Sequence, residues 1–535
     1  MLEPNELSKV HPGYAEYLYR WDYYMRSYMG AEEYRDGAYL RKYIAEEQAP
    51  GNAYNQRLLD TALQNHARLT VDAYRSFVFR NPPTRMLGEL VDNPFVLDFI
   101  QNADMDNTTM TAFMREVNDQ VLIYGGCWVG TDKGNYQSEN MAEAQELNMR
   151  AYAKIYNPTQ VRNWGYKKLV NGQNVLDYIV VVDEEYPDYD VLRVWTEDKV
   201  EKYTVSKKQF TPATSEANYP GSVYGRTDSF TIDYGKILEH EEFENPLGYV
   251  PFIHIQTDRS FHKGIGTSHI GDVCDIQREI YNLSSEAYES IRLNSHPSIV
   301  AEASADINGG AGAIVTVDEN TQIQPYLLQP NGESVSSILS VIEQKTGAIE
   351  DVTHLAATKA KKGPQSGIAL QVERDMLNVK LSDIASVLER AEKLIWKMWF
   401  DWEQIEPTEE FDIYYEKKFD LRDKHQEVAL YEKAKNIVPN ASFQNYINAE
   451  TARLLIENEE DLQIVMDSMA PKSEMPLDTD MPHPPMETPS DMVMHMRKMV
   501  EQGYSDQQIL ELHPEINNFF DNNEGETTNV DTEEG

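Results

Sequence analysis

The sequence predicts an α+β chain, and three of its features carry that prediction. The first is a run from Ile368 to Glu406 without Pro or Gly, in which Leu377, Leu381, Ile384, Leu388, Ala391, Ile395, Met398 and Trp402 recur at alternating spacings of four and three. Those positions form one continuous stripe on a helix. The second is a β-rich middle, where Tyr178 to Val182, Val191 to Thr196 and Lys199 to Val205 are short runs separated by Asp, Glu and Pro. The third is a pair of helical patterns flanking a short Gly-rich stretch between residues 295 and 332.

Taken in order, residues 1 to about 125 read as mostly helical, with Tyr14, Tyr17, Tyr19, Trp21, Tyr23, Tyr24 and Tyr28 near the start and a long helix expected from Ala53 to Val78. Aromatics this dense suit a core or subunit interface better than a base-stacking platform. Gly125 and Gly126 break the pattern, and a mixed α/β lobe follows to about Thr257. Asn245 to Pro251 form a turn into the apolar strand Phe252 to Ile255. A helix is expected over 267–294, with Val273, Ile276, Ile280, Leu283, Ala287 and Ile291 on one face and Asp272, Asp275, Glu279, Glu286 and Glu289 on an acidic side. A small β excursion comes next: Ser298 to Glu302, Ile314 to Val317, and Gln322 to Leu327. It leads to a second helix over 333–354, and two such helices can return antiparallel with the β piece at the end of a stalk. Phe411 to Phe419 reads as a strand and Leu421 to Met469 as two or three polar helices. Met469 to Pro489 reads as a linker, a small helical pair follows, and the acidic stretch from Asp521 to Gly535 is too poor in apolar residues to fold.

The 535 residues exceed what one hydrophobic core commonly serves, so two or more substructures are expected. No stretch approaches the ~20 apolar residues of a membrane span. Met1 to Glu6 lack the basic and apolar regions of a signal peptide, so a soluble protein made in a cytoplasm, with no membrane partner, is expected. Cys127 and Cys274 are the only cysteines, too few for a disulfide framework or a cysteine zinc site.

The formal net charge of −41 argues against a protein that holds DNA by neutralising phosphates. Its ordinary reading is a solvated surface. Its sharper reading is a wall that must not stick to nucleic acid, with a few basic residues as a local guide. Between Asp351 and Glu373 the chain runs 21 residues without a carboxylate and sets Lys359, Lys361 and Lys362 beside the hinge residues Gly363, Pro364 and Gly367. A basic, Gly/Pro-hinged loop between two helices is suited to touching something negative.

Motifs for catalysis are weak, and a non-enzymatic protein without cofactor or metal is expected. Gly125 to Gly130 have the outer spacing of a phosphate loop, but Thr131, Asp132 and Lys133 follow, so Lys and hydroxyl are misplaced. His254, His262 and His269 fall on a strand, a Gly-broken loop and a helix start. Asp183, Glu184, Glu185, Asp188 and Asp190 could supply a Mg²⁺ site to a nuclease, although such a cluster is expected by chance among 89 acids.

The order of elements resembles that of the portal proteins of tailed double-stranded DNA bacteriophages, the head-to-tail connectors through which the genome enters and leaves the capsid. The resemblance covers roughly residues 10 to 470. Tyr124 to Val129 look like the helix-to-strand junction of the wing, Asn245 to Phe252 like the approach to the stem, Asp272 to Asn294 like the first stem helix, and Gly363 to Leu370 like the segment entering the long wing helix. The resemblance implies a portal-like subunit with a mixed α/β wing, a two-helix stem, a small β-containing clip, a long wing helix and a helical crown. Residues 1–266 would be the N-terminal part of the wing, 267–294 and 333–354 the stem helices, and 295–332 the clip. Residues 355–367 would be the tunnel loop, 368–420 the long wing helix and following strand, 421–470 the crown, and 471–535 a linker, small helices and an acidic tail without a family counterpart.

The same resemblance implies a homo-oligomeric ring at one capsid vertex of a virion, assembled in the host cytoplasm, with twelve copies usual in the family. The implied partners are the major capsid and scaffold proteins, the terminase, a tail or adaptor protein, and double-stranded DNA in transit. Lys359, Lys361 and Lys362 become the DNA-proximal residues, and Asp272, Asp275, Glu279 and Glu286 the candidates for facing the channel. A scaffold or internal head protein would share the acidity but needs no hinged basic loop, and a metal-dependent nuclease would use the 183–190 carboxylates.

Overall fold

A computed structural model describes residues 1–48, 52–134, 149–208, 233–295, 298–300, 306–307, 315–316, 326–328, 332–358, 367–419, 424–437, 441–455 and 465. The chain divides into two units, Met1–Asp420 and Leu421–Gly535. The first is mixed α/β with several small sheets.

Its helices begin with α1 (Pro4–Leu7), α2 (Pro12–Met29), α3 (Ala31–Tyr34), α4 (Ile44–Gln48), α5 (Asn52–Asp60) and α6 (His66–Val78). The short strand β1 (Thr84–Met86) and helices α7 (Pro94–Gln101) and α8 (Met110–Tyr124) follow. The early aromatics are core: Tyr14, Trp21, Tyr23 and Tyr34 are buried, while Tyr19 is exposed. The single helix expected from Ala53 to Val78 is instead two. Asn65 accepts from the Arg68 amide at 2.8 Å and so caps α6, which stops the chain from running through. Gly125 ends α8 with φ +88°, and a Cβ there would meet the Gly266 and Thr267 backbone at under 3 Å.

Two antiparallel sheets follow. One has the order β3-β2-β9, from β2 (Gly126–Lys133), β3 (Ala151–Tyr156) and β9 (Phe252–Gln256). The other is a meander of β4 (Val161–Lys168), β5 (Asn174–Glu185), β6 (Tyr189–Thr196), β7 (Lys199–Lys207) and β8 (Tyr234–Glu244). Alternation gives the meander two apolar faces. Val180, Val182, Leu192, Val194, Tyr203 and Val205 pack under Leu7 of α1. On the other side Trp195 meets Phe252 of β9 at 5.6 Å. Arg193 ties the sheets together by bonding both Asp132 of β2 and Asp183 of β5.

Helix α9 (Gly271–Ser295) starts four residues later than expected, because Thr267 and its neighbours are taken up by a loop that bonds to itself and to α8. Strands β10 (Ser298–Val300), β11 (Asp306–Ile307), β12 (Val315–Thr316) and β13 (Tyr326–Leu328) lead to α10 (Gly332–Thr353). The pairs β10–β13 and β11–β12 are antiparallel, and α9 packs along α10. Lys345 Nζ lies 2.6 Å from the Glu279 carboxylate, which sets the middle of α10 beside the first half of α9. Past Ala287 no described residue of α9 is buried, and none of α10 is buried before Ile349. The two helices therefore leave the body as a hairpin.

Helix α11 (Gly367–Glu403) forms the stripe read in the sequence, with Leu377, Leu381, Ile384, Leu388, Ala391, Ile395 and Met398 buried. Burying each of the larger ones contributes about 1.5–3 kcal/mol. The stripe lies against β2, β3, β9, α6 and α8. Its far end is pinned by Trp399 Nε1 donating to Ala151 O at 2.9 Å and by Glu403 accepting from the Ala151 amide and pairing with Lys133. Strand β14 (Asp412–Tyr414) pairs with β1 and is shorter than the strand expected from Phe411 to Phe419. Glu392 is fully buried, 2.6 Å from Arg85 Nε of β1, and accepts from Tyr415 Oη at 2.6 Å and Trp396 Nε1 at 3.3 Å. In the second unit α12 (Lys424–Ile437) packs on α13 (Ala441–Leu455), with Lys435 Nζ donating to Asn448 at 2.9 Å.

A buried charge left without its partner is far costlier than an apolar pair in its place. Glu392→Ala therefore lowers the stability of the first unit by about 3–5 kcal/mol in denaturant titration, and the double change Arg85→Met, Glu392→Leu costs less than the single one.

Candidate functional site

Lys359, Lys361, Lys362, Gly363 and Pro364 lie outside the described residues, and Gly367 is the first residue of α11. The frame on either side of them is described. Tyr74 Oη of α6 donates to Thr353 O at 2.6 Å, and the Thr353 hydroxyl turns back to Ile349 O at 2.7 Å. His354 then takes φ +57°, a left-handed conformation that is strained for a non-glycine residue, and its amide donates to Asp351 O at 3.2 Å. A 3₁₀ turn, Leu355–Thr358, follows with Leu355 and Ala356 buried. The end of α10 is thus fixed immediately before the basic segment begins.

Where α9 starts, α10 ends and α11 passes, the surface opens into a cavity of about 610 Å³ whose lining includes Asp258, His269, Asp272, Lys380, Asp383 and Arg390. Lys380 stacks over the Tyr74 ring at 5.1 Å. Burial lowers its pKa, and the Asp258 carboxylate opposes that shift. The His269 ring lies 2.6 Å from the Thr257 hydroxyl, and burial together with the Lys380 charge lowers its pKa to about 4. His354 is lowered by the same two causes. Near neutral pH the imidazoles of His269 and His354 are therefore uncharged.

Three of the four candidate channel acids share one stripe. Asp272, Glu279 and Glu286 are exposed at seven-residue spacing on α9, where a helix drifts only ~20° per repeat. Glu279 is the one paired with Lys345. Asp275 turns elsewhere, accepting from Tyr23 Oη at 3.2 Å and pairing with Arg278 at 3.6 Å.

Four of the carboxylates considered for Mg²⁺ are already held by side chains, Glu185 and Asp190 sharing Lys207. Asp183 is held by Arg193, Lys154 and Tyr156 Oη, Asp190 by Lys207 and Tyr234 Oη, Glu185 by Lys207, and Glu184 accepts from Tyr186 Oη. The three histidines are likewise apart in function: His254 lies in β9, where desolvation lowers its pKa to about 3, His262 pairs with Glu16, and His269 sits in the junction. Among the described residues Glu201, His240 and Glu242 bring ligand-type atoms within 4.8 Å of one another. There Lys199 Nζ, 3.2 Å from each carboxylate, already supplies the cation.

Sequence reasoning missed the clamp that holds α9. Arg57 bonds Ser285 Oγ at 2.9 Å and Glu46 at 2.7 Å beneath the Tyr43 ring, and Gln277 bridges Ala67 N and Ser27 O. No local pattern announces these contacts.

No protein-family model matches the sequence, and neither does any curated protein. Two solved structures align over most of the chain. One, described as the virion of a native gene transfer agent particle, covers 75% of this chain and 89% of its own at 10% identity and a TM-score of 0.33. The other, described as the neck of an empty gene transfer agent particle computed with C6 symmetry, covers 78% and 94% at the same identity and TM-score. Likeness at that level carries no argument about what this chain does.

With a folded-state pKa near 4 against an ordinary 6.5, His269 binds its proton more readily in the unfolded chain, so its contribution to stability is full above pH 6.5 and is lost as pH falls toward 4. His269→Asn accordingly flattens the fall of the thermal unfolding midpoint between pH 6.5 and 4, by an amount equivalent to roughly 1–3 kcal/mol.

Proposed function

We propose that this chain is the subunit of a portal ring, the head-to-tail connector of a tailed double-stranded DNA phage or of a particle built like one. The observation that carries the reading is the α9–α10 hairpin, which leaves the body with small antiparallel strand pairs between its two helices and returns into a long helix through a basic segment. Copied around an axis, such hairpins would form a stem, and residues 295–332 a clip offered to terminase and to tail or adaptor proteins. Residues 421–470 would be a crown on the capsid side.

The electrostatics fit a conduit. The exposed stripe Asp272, Glu279 and Glu286 would repel the DNA backbone wherever it faced the channel, and the net charge of −41 would oppose adhesion at long range. Rings of Lys359, Lys361 and Lys362 would supply the weak, salt-screened phosphate contacts that guide a sliding duplex. The apolar side chains that one copy leaves exposed on α10 and α11, among them Leu339, Val341, Val372, Met376 and Val379, would be covered by neighbouring copies. No cofactor or catalytic step enters this role.

Electron microscopy of the purified protein tests the reading. Closed rings of about twelve copies with a central hole are expected, twelve being the number usual in the portal family and closure following from head-to-tail contacts. Solid particles or open filaments at every salt concentration would contradict it. Replacing Lys359, Lys361 and Lys362 together with Ala leaves the rings intact and reduces DNA packaging into particles; unchanged packaging would remove the lysine guide while leaving the ring.

A further inference from the structure

The loop between β9 and α9 carries a side chain that the described residues leave bare. Phe261 is 95% exposed and has one ring contact among the described residues, edge-on to the adjacent His262 at 5.3 Å. The loop beneath it is firmly built. Arg259 and Gly266 form an antiparallel bridge, Ser260 N donates to Ile265 O at 3.2 Å, and Thr267 N donates to Asp258 O at 3.1 Å. Trp164 Nε1 donates to Lys263 O at 2.9 Å, Ile265 is buried, and His262 Nε2 lies 2.9 Å from Glu16. Gly264 takes φ +87° against Trp164, where a Cβ would come within 2.5 Å of the indole nitrogen. A large apolar group fixed in water on a rigid turn loses little conformational entropy when it docks, which is how aromatic anchors at interfaces work.

Its flanks carry the charge that this acidic chain is short of. Arg259 and Lys263 are both exposed, and neither has an ion-pair partner among the described residues. Lys263 Nζ stands 3.5 Å above the Tyr166 ring.

The complementary surface lies on the N-terminal half of α11. Alternate residues of β2 point to opposite faces. Thr131 meets Trp402 of α11 at 3.2 Å and Cys127 meets Val117 of α8, whereas Trp128 faces His254 at 4.8 Å and Trp164 at 5.8 Å, on the side of the Phe261 loop. On the α11 side an open groove of about 600 Å³ is lined by Val372, Met376 and Val379, with Asp375 and Asp383 among its polar residues. Those three apolar side chains are 48%, 52% and 63% exposed. The adjoining cavity, which Asp258 at the root of the Phe261 loop also lines, adds Asp272.

We propose that the Phe261 loop of one copy seats in the α11 groove of the next, with the phenyl ring over Val372, Met376 and Val379 and with Arg259 and Lys263 against Asp375 and Asp383. Two copies that each carry −41 repel, so their contact needs local pairing of opposite charges as well as apolar cover. Two different patches that fit each other make a head-to-tail contact, which closes into a ring when its rotation permits. The proposal rests on the ring reading and names the surfaces that would build it.

Cross-linking of the full-length chain tests it, because Cys127 and Cys274 are buried and leave the background silent. Phe261→Cys combined with Met376→Cys, treated with a short bismaleimide, is expected to give a ladder of covalent multimers on a denaturing gel, while each single variant stays monomeric. Wild-type rings without a ladder from the double variant would overturn this contact and leave the ring reading standing. A wild-type chain that stays monomeric at every salt concentration would overturn both. Arg259→Glu with Lys263→Glu should raise the concentration needed for assembly by about tenfold or more at low salt, and adding Asp375→Lys with Asp383→Lys should restore it. If the first pair of changes instead weakened binding of duplex DNA and left assembly unchanged, the loop would be a nucleic-acid contact and the proposal would fall.

Discussion

The buried stripe of α11 is the constraint on which the rest of the first unit depends. Both β2 and β9 pack on it, α6 and α8 flank it, and β1, which pairs with β14, is anchored to it through Arg85 and Glu392. The junction with the hairpin is built from the same helix, since Lys380 comes between Leu377 and Leu381 of the stripe and stacks on Tyr74, the residue that holds the end of α10. A shift of α11 along its axis would therefore move the sheet and the root of the hairpin together.

What was legible in the sequence followed its local periodicity. The spacing of Leu377 to Met398 marked α11, and the alternation in 178–205 marked three strands of the meander. Alternating apolar runs do not state which strands share a sheet, and the division into β3-β2-β9 and the five-stranded meander rests on pairings such as Trp128 with His254, far apart in the chain. The break between α5 and α6 escaped because Thr61 to Asn65 contain neither Pro nor Gly, and the signal was a side-chain cap at Asn65. The clamp of Arg57 on Ser285 and the pair of Arg85 with Glu392 join residues 228 and 307 positions apart, which no spacing rule reaches. Asp275 looked like its acidic neighbours on the helix, and only the fold shows it turned toward Tyr23.

Charge is distributed by task. Inside the first unit carboxylates are matched locally, as at Asp183, Asp190 and Glu392, where burial makes an unmatched charge costly. On the exposed stripe of α9 Glu286 stays exposed, and Glu279 keeps one surface ion pair of the kind worth ~0–1 kcal/mol. Arg259 and Lys263 beside Phe261 are exposed basic residues without an ion-pair partner among the described residues, and the bare phenyl ring between them is what distinguishes the loop from a solvated turn.

The central claim is that copies of this chain enclose an acidic conduit that duplex DNA can traverse. Ionic current through single purified particles sealed in a synthetic nanopore tests it most directly. The account predicts a cation-selective open current, interrupted by transient blockades when duplex DNA is driven through, with selectivity reduced by Asp272→Asn, Glu279→Gln and Glu286→Gln together. An absence of through-current, or an anion-selective current indifferent to those three changes, would contradict it.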